Sequence, residues 1–256
     1  MGVQIDTLAN QPQFRGLLWQ IEDDGWPQFI RQDPLAALYY ADVEDVQPEC
    51  VLVAWESRRP DTLVARGFCV PFAFGEAVGR TALPDGGWDD VVRWGWLDRI
   101  RDQRPTHLSA LEISVAKRHR GTGLSARMLA TMKDNGRRLG FDDLFAPVRP
   151  SGKSAVPEQP MHEYVARRRA DGLPSDPWLR VHVRAGAEIV RIAPRSMTIA
   201  GSIEEWQRWT GQTFESSGEI AVPGALAPIY CSVEHDHAVY VEANVWVHHR
   251  LSLTHL

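Results

Sequence analysis

Two hydrophobic periods alternate along the chain, and together they predict a mixed α/β (α+β) fold. Strands are predicted where short apolar or alternating runs are bounded by turn residues: 50–56, 63–74, 108–116, 144–148, 187–193, 196–200, 229–233 and 239–248. Helices are predicted where apolar residues recur every three or four positions: 12–40 in two pieces, 88–100, 124–139, 161–169, 176–184 and a segment around Trp206 and Trp209. This order of elements fits one domain with insertions.

Composition narrows the class of protein and leaves that fold prediction unchanged. The 256 residues carry a formal charge of -5, with 24% charged and 44% apolar residues, as in an ordinary soluble globular protein. A disordered or fibrous chain is excluded, and the acidic balance argues against a surface committed to nucleic acid. No apolar run reaches the ~20 residues that a membrane-spanning helix needs, so no membrane partner is expected.

Cysteine usage and the N-terminal residues bear on location. Cys50, Cys69 and Cys231 are odd in number and far apart, so they predict neither a disulfide framework nor a metal site. Two of them lie in apolar strand-like runs and are expected to be buried thiols. Residues 1–14 lack the apolar stretch of a signal peptide. A cytoplasmic location is the expectation that follows.

The segment Val115–Ser125 is the one that suggests chemistry. A predicted strand runs into a basic turn with Gly121 and Gly123, and a predicted helix follows at once. The first N–H groups of a helix have no partner within the helix and lie at its positive end, so they suit a pyrophosphate. Between Val115 and Gly140, seven basic residues and one acidic residue give +6 in a chain of net charge -5. A solvated basic helix after a glycine turn is the alternative interpretation.

The motif is neither a Walker loop nor a Rossmann fingerprint, because Gly-Lys-Ser/Thr and the third glycine are missing. It resembles the acyl-CoA loop of the GCN5-related N-acetyltransferase (GNAT) superfamily, Arg/Gln-x-x-Gly-x-Gly/Ala. Here the loop reads Arg120-Gly-Thr-Gly-Leu-Ser125, with serine at the last small position, and LEISVAKRHRG before it resembles the family's fourth strand. A second resemblance covers Leu179–Val190, where Gly186 is kept, Ala187 replaces a phenylalanine and His182 takes the place of a tyrosine.

The resemblance implies a mixed, mostly antiparallel sheet flanked by helices. It covers about residues 50–200, which would form the acyl-CoA-binding core. The insert at about 150–175 and a C-terminal extension at about 201–256 would elaborate this core, so that residues 1–256 form a single GNAT-like domain.

The resemblance also implies an activity. We expect an acyl-CoA-dependent N-acyltransferase that moves acetyl from acetyl-CoA to a small-molecule amine by direct attack in a ternary complex, without a metal ion and with a homodimer as an allowed assembly. An acyl-CoA-binding module without transfer activity, or a thioester-cleaving or decarboxylating enzyme, is the alternative. An N–H near Val115 would stabilise the oxyanion. The residues expected to bind the cofactor are Ile113, Ser114, Val115, Arg120, Gly121, Thr122, Gly123, Leu124 and Ser125.

Glu112 and His182 are the expected catalytic residues. A carboxylate on the strand beside the acetyl group, among apolar neighbours, suits a general base, and an imidazole at the tyrosine position suits a general acid. A structural salt bridge at Glu112 and a merely packed histidine at His182 are the alternatives. Glu242 is a second candidate for the base, and Tyr164 for the acid.

Three further features have a structural interpretation beside a functional one. The tryptophans, 10 in all, could wall an acceptor pocket, although core packing is the commoner role of Trp88, Trp94, Trp206 and Trp209. Lys153 and Arg167–Arg169 could hold an anion or form a solvated face. The C-terminal histidines are not expected to bind a metal, since the neighbours His248 and His249 would point to opposite faces of a strand.

Overall fold

A computed structural model describes residues 2–21 and 25–252, and its centre is one sheet of nine strands within those ranges. The strands are β1 (Val3–Thr7), β2 (Val51–Glu56), β3 (Arg59–Phe72), β4 (His107–Val115), β5 (Asp143–Val148), β6 (Glu188–Gly201), β7 (Gly218–Ile220), β8 (Ile229–Ser232) and β9 (His237–Arg250). Their order is β1-β2-β3-β4-β5-β9-β8-β7, and β6 pairs with the other edge of β9.

Seven α-helices flank this sheet in the described part of the chain. They are α1 (Ala36–Tyr40), α2 (Val43–Val46), α3 (Gly87–Ile100), α4 (Leu124–Arg138), α5 (Met161–Ala166), α6 (Pro177–Arg184) and α7 (Ile203–Thr210). The predicted mixed, mostly antiparallel sheet flanked by helices is confirmed. None of the helices described in residues 2–21 and 25–252 is long and apolar enough to cross a membrane.

The two faces of the sheet carry separate apolar cores, because neighbouring strand residues point to opposite sides. On β2, Val53 packs into the core that contains α3 and the N-terminal turns, whereas Leu52 and Ala54 pack into the core under α4 and α6. All three cysteines are buried thiols.

The N-terminal segment corrects one prediction. Instead of a helix over 12–21, the chain forms short 3-10 turns at Pro12–Phe14 and Leu18–Gln20. Gly16 lies between them with a φ of 74°, which belongs to the left-handed region and interrupts the helical path. The apolar spacing still has its cause, since Phe14 and Leu18 are fully buried.

Two strand predictions also change. Residues 3–7 form β1, an antiparallel edge strand on β2 that the sequence analysis missed. The separate strands predicted at 187–193 and 196–200 form one strand, β6, which continues through a register irregularity between Ala193 and Met197.

The pairing of β4 with β5 sets the position of the site. These strands are parallel and pair only at Leu108 with Leu144 and at Ser109 with Phe145. Beyond that point β4 stays with β3, and β5 stays with β9. A gap therefore opens between Ala110–Val115 and Ala146–Val148.

A β-bulge lies at the start of this gap. Phe68 of β3 pairs with Glu112, whereas the next residue, Cys69, pairs with Ala110, so Leu111 is the extra residue. Leu111 packs into the same core as Phe68 and Trp88. The bulge therefore directs Glu112 to the face covered by the N-terminal segment.

Candidate active site

A cleft of about 1040 Å³ opens in the gap between β4 and β5. One wall is formed by residues from Ala110 to Val115 of β4, and the other by residues from Ala146 to Arg149 at the end of β5. Residues of the N-terminal segment and of α6 also line the cleft. The volume suits a bound small molecule of cofactor size.

A basic loop joins β4 to α4 at one mouth of the cleft. Gly121 and Gly123 have φ values of 75° and 84°, and Gly123 is the residue that directly precedes α4. Only glycine adopts this left-handed region without strain. Thr122 fixes the turn by donating from Oγ1 to the carbonyl of His119 at 2.7 Å. The first N–H groups of α4 therefore face outward from a rigid turn and can receive an anion.

The predicted cofactor residues divide into two groups. Ile113, Val115, Arg120, Gly121 and Ser125 line the cleft. In the part of the chain that the structure describes, Ser114, Thr122, Gly123 and Leu124 lie outside its lining.

A buried ion pair stands on the cleft wall. Arg66 donates from Nε to Oε1 of Glu112 at 2.8 Å, and from Nη1 to the carbonyl of Leu18 at 2.7 Å. The Trp19 ring covers the guanidinium, with its centroid 4.7 Å from Cζ. This pair therefore fixes the N-terminal segment to the middle of the sheet.

Two further side chains complete the hydrogen bonds of Glu112, and a third supports one of these two. Tyr40 donates from its hydroxyl to Oε2 at 2.9 Å, Ser114 donates to Oε1 at 2.5 Å, and Trp26 donates from Nε1 to Oγ of Ser114 at 2.8 Å. Burial raises the pKa of Tyr40, so its phenol keeps the proton that it donates. Both oxygens of Glu112 are thus held in one orientation.

Aromatic rings form a large part of the cleft lining. Trp19, Trp26, Tyr40 and Trp88 line it, and Trp88 donates from Nε1 to the carbonyl of the bulge residue Leu111 at 3.2 Å. The sequence left open which tryptophans line a pocket and which pack in the core. By contrast, Trp206 is fully buried and donates to the carbonyl of Ala238.

His182 lines the cleft and forms a buried pair with His249. Nδ1 of His182 lies 3.0 Å from Nε2 of His249. Burial, with His249 and Lys133 nearby, lowers the pKa of His182 to about 3. The ring of His182 is therefore neutral at pH 7.

The chain was compared with known proteins. No protein-family model matches it. A curated relative, arginine N-acetyltransferase avaD of Aspergillus versicolor, is 34% identical over 97% of this chain and 94% of its own length.

Two solved structures share the fold. The loading GNATL domain of CurA from Lyngbya majuscula has a TM-score of 0.56 at 13% identity, covering 98% of both chains. The GphF GNAT-like decarboxylase in complex with isobutyryl-CoA has a TM-score of 0.53 at 17% identity, covering 98% of this chain and 100% of its own.

The chain belongs to the GNAT superfamily. It is an acyl-CoA-dependent N-acetyltransferase, as the resemblance implied. The cleft between β4 and β5 is its candidate active site.

The surroundings of Glu112 in this acetyltransferase differ from the sequence expectation. Apolar neighbours were expected, whereas an arginine, a phenol and a hydroxyl surround the carboxylate. The register of β3 and the fold of the N-terminal segment bring these groups there, and neither is visible in the local sequence. The salt bridge that was the alternative interpretation of Glu112 is present.

The rival candidates are placed less well for catalysis. Tyr164 donates to Oδ2 of Asp176 at 2.8 Å, and Glu242 is fully buried against Arg149. Neither lines the cleft in the described ranges.

Lys153 and the C-terminal histidines have structural contacts. Lys153 is buried and donates to three backbone carbonyls. Its side chain is therefore not part of a solvated face, and its ammonium group is occupied by these carbonyls instead of an anion. His248 contacts Asp143 at 2.6 Å, whereas its neighbour His249 contacts His182, which confirms that the two point apart. His255, the last of the C-terminal histidines, lies outside the described residues.

The buried ion pair predicts a large stability effect. We expect Arg66→Met to lower the free energy of unfolding by about 3 to 5 kcal/mol, because it leaves the Glu112 carboxylate buried without its cation. Adding Glu112→Gln should recover part of the loss. Urea unfolding of the two single variants and the double variant measures this. A loss below about 1 kcal/mol for Arg66→Met would contradict the assignment.

The loop predicts an effect on cofactor binding. We expect Gly123→Val to weaken acetyl-CoA binding by about tenfold or more, because valine at a left-handed φ costs about 1 to 3 kcal/mol and displaces the loop. Gly172→Val is the matched control: Gly172 has a φ of 76° in an exposed turn, and a Cβ there meets nothing within 4 Å, as at Gly123. Calorimetric titration measures both. Equal affinity in the two variants would show that the loop does not bind the cofactor.

Proposed function

We propose that this acetyltransferase moves the acetyl group of acetyl-CoA to an amine of arginine or a closely related guanidino compound. The observation that carries the proposal is the full-length relative named arginine N-acetyltransferase. The chemistry of the cleft supports it, since carboxylates at Asp33 and Glu112 and four aromatic rings line the end that would receive a cationic acceptor.

We propose that the cofactor lies along β4, from the loop that follows this strand to the gap beside it. The loop at Arg120–Ser125 would hold the pyrophosphate through backbone N–H groups, helped by the positive end of α4. The thioester would lie in the gap, where β4 has lost its pairing with β5. A backbone N–H of β4 that faces the gap would then stabilise the oxyanion. We propose a position near the bulge at Leu111, where the gap begins, in place of the expected position near Val115.

The transfer step needs one proton acceptor. The neutral amine nitrogen attacks the carbonyl carbon, the C–N bond forms, the C–S bond breaks, and the CoA thiolate leaves. The amine proton passes to a base, and Glu112 is our candidate because it lines the cleft beside the gap. His182 is a weaker candidate for an acid, because its lowered pKa leaves no imidazolium at pH 7. A thiolate is a sufficiently good leaving group to depart without an acid.

Two further proposals concern organisation. The sheet and both cores support a single elaborated domain, with residues 150–175 as an insert and 201–256 as an extension of the sheet through β7, β8 and β9. A homodimer and a cytoplasmic location stay predictions.

A thiol-release assay tests the proposed function. We expect free CoA to appear when the protein, acetyl-CoA and arginine are mixed, with mass spectrometry showing acetylarginine in equal amount. Glu112→Gln should lower kcat by about 100-fold or more, because a general base contributes about that factor. Glu204→Gln, on the exposed face of α7, is the control and should keep full activity.

Each other outcome has a distinct meaning. Thiol release without an amine would indicate thioester cleavage. Binding of acetyl-CoA without release, with a broad amine panel, would indicate a binding module. Release with another amine and none with arginine would overturn the proposed acceptor.

A further inference from the structure

Four buried carboxyl groups lie in or beside the acceptor end of the cleft, and they differ in what neutralises them. Glu112 is paired with Arg66, and Glu242 with Arg149 at 2.9 Å. Asp33 and Asp89 form no ion pair with a Lys, Arg or His side chain within residues 2–21 and 25–252. A buried carboxylate without a cation is costly, so this pair calls for an explanation.

Backbone amides fix one oxygen of each group. Asp33 follows the 3-10 turn Gln28–Gln32, and its Oδ1 accepts from the N–H of Leu35 at 2.8 Å. Asp89 lies in the first turn of α3, and its Oδ2 accepts from the N–H of Thr198 at 3.1 Å. Oδ2 of Asp33 and Oδ1 of Asp89 are buried, and no N–H or hydroxyl group among the described residues donates to either oxygen.

A single proton shared between Asp33 and Asp89 gives both of these buried oxygens a hydrogen-bond partner. Burial raises the pKa of Asp33, and burial together with the Asp33 carboxylate raises the pKa of Asp89 to about 9. The other charged groups that act on the pair are Glu242 and Arg93, and Arg93 itself pairs with Asp90. A pair that shares one proton carries one negative charge, and Asp33 is the member of the pair that lines the cleft.

The position of Asp33 gives this charge a use. Asp33 is only 4% exposed and lines the cleft, with Trp88, Met197 and Asn244 also in the lining. An arginine guanidinium is planar, carries its charge over several N–H donors and is weakly hydrated, so it enters a buried site more easily than an ammonium does. A charge-assisted hydrogen bond from such a donor is stronger than one from a neutral group.

We propose that Asp33 is the anchor for the guanidinium group of the acceptor, and that Asp89 positions Asp33 by donating a hydrogen bond to it. This inference rests on the proposed function for the choice of acceptor. It assigns the selection of a guanidinium to Asp33. Glu112 does not have this role, because Arg66 already balances its charge.

Arginine and citrulline together test the anchor, because citrulline has the same length and a neutral urea group. We expect Asp33→Asn to lower the ratio of kcat/KM for arginine to that for citrulline by about 10- to 100-fold, mainly through KM for arginine. The new amide keeps the acceptor for the Leu35 N–H and removes a buried charge. The melting temperature should therefore not fall, and a loss of activity would not reflect unfolding.

Asp89→Asn is the matched variant for the positioning role. Its amide keeps an acceptor for Thr198 and an N–H donor for Asp33, so we expect the arginine-to-citrulline ratio to stay within about threefold of the wild-type ratio. Asp89→Leu removes the donor and should lower the ratio through KM, as Asp33→Asn does. Asp45→Asn, on the exposed surface, is the control. An unchanged ratio in Asp33→Asn, or an equal fall in Asp89→Asn, would overturn the proposal.

Calorimetric binding of arginine to the CoA-bound protein separates this proposal from the proposed function. Binding that Asp33→Asn abolishes, without turnover of arginine, would support the anchor and reject arginine as acceptor. Turnover of arginine with the same ratio in all variants would support the acceptor and reject the anchor. If wild-type protein neither binds nor acetylates arginine, both proposals fail.

Discussion

The short parallel pairing of β4 with β5 is the constraint on which the rest of the structure depends. Two residue pairs hold the strands together, and then each strand follows its antiparallel neighbour instead. The gap leaves backbone groups of β4 without a strand partner in the described sheet, and unsatisfied backbone groups are costly unless a ligand or water meets them. A thioester placed in this gap would meet them. The bulge at Leu111 then sets which β4 side chains face the acceptor.

Basic and acidic groups of the cleft come from different parts of the chain. The loop before α4 is basic and suits an anionic cofactor, whereas carboxylates and aromatic rings from residues 19–40, α3 and β4 also line the cleft. Glu112 in the cleft and Glu242 beside it are each paired with an arginine, so their charges are already balanced. Among the described residues, Asp33 has the carboxyl group of Asp89 beside it instead of a cation, and in our proposal the charge of this pair is available to an acceptor. Functional groups that destabilise the fold in this way are typical of binding sites.

Local sequence predicted the glycine turn between β4 and α4, because the conformation of such a turn depends on neighbouring residues. A strand that ends in a turn with glycines at two left-handed positions, followed by a helix, is determined within eleven residues from Val115 to Ser125. The acceptor end was not predictable in this way. Two of the hydrogen bonds of Glu112 come from residues 46 and 72 positions away, and the pair Asp33 and Asp89 joins an N-terminal turn to α3. The helical spacing in 12–21 correctly predicted that Phe14 and Leu18 are buried. It did not predict the backbone conformation, because packing favoured short turns interrupted by Gly16.

A crystal structure of the protein with bound acetyl-CoA tests the central claim most directly. The account requires the pyrophosphate at the backbone N–H groups of residues 121–125 and the thioester in the gap between β4 and β5, within hydrogen-bond distance of a β4 amide near the bulge. Asp33 should then lie on the acceptor side of the acetyl group, away from the nucleotide. A pyrophosphate at another surface, or a thioester outside the gap, would contradict the account.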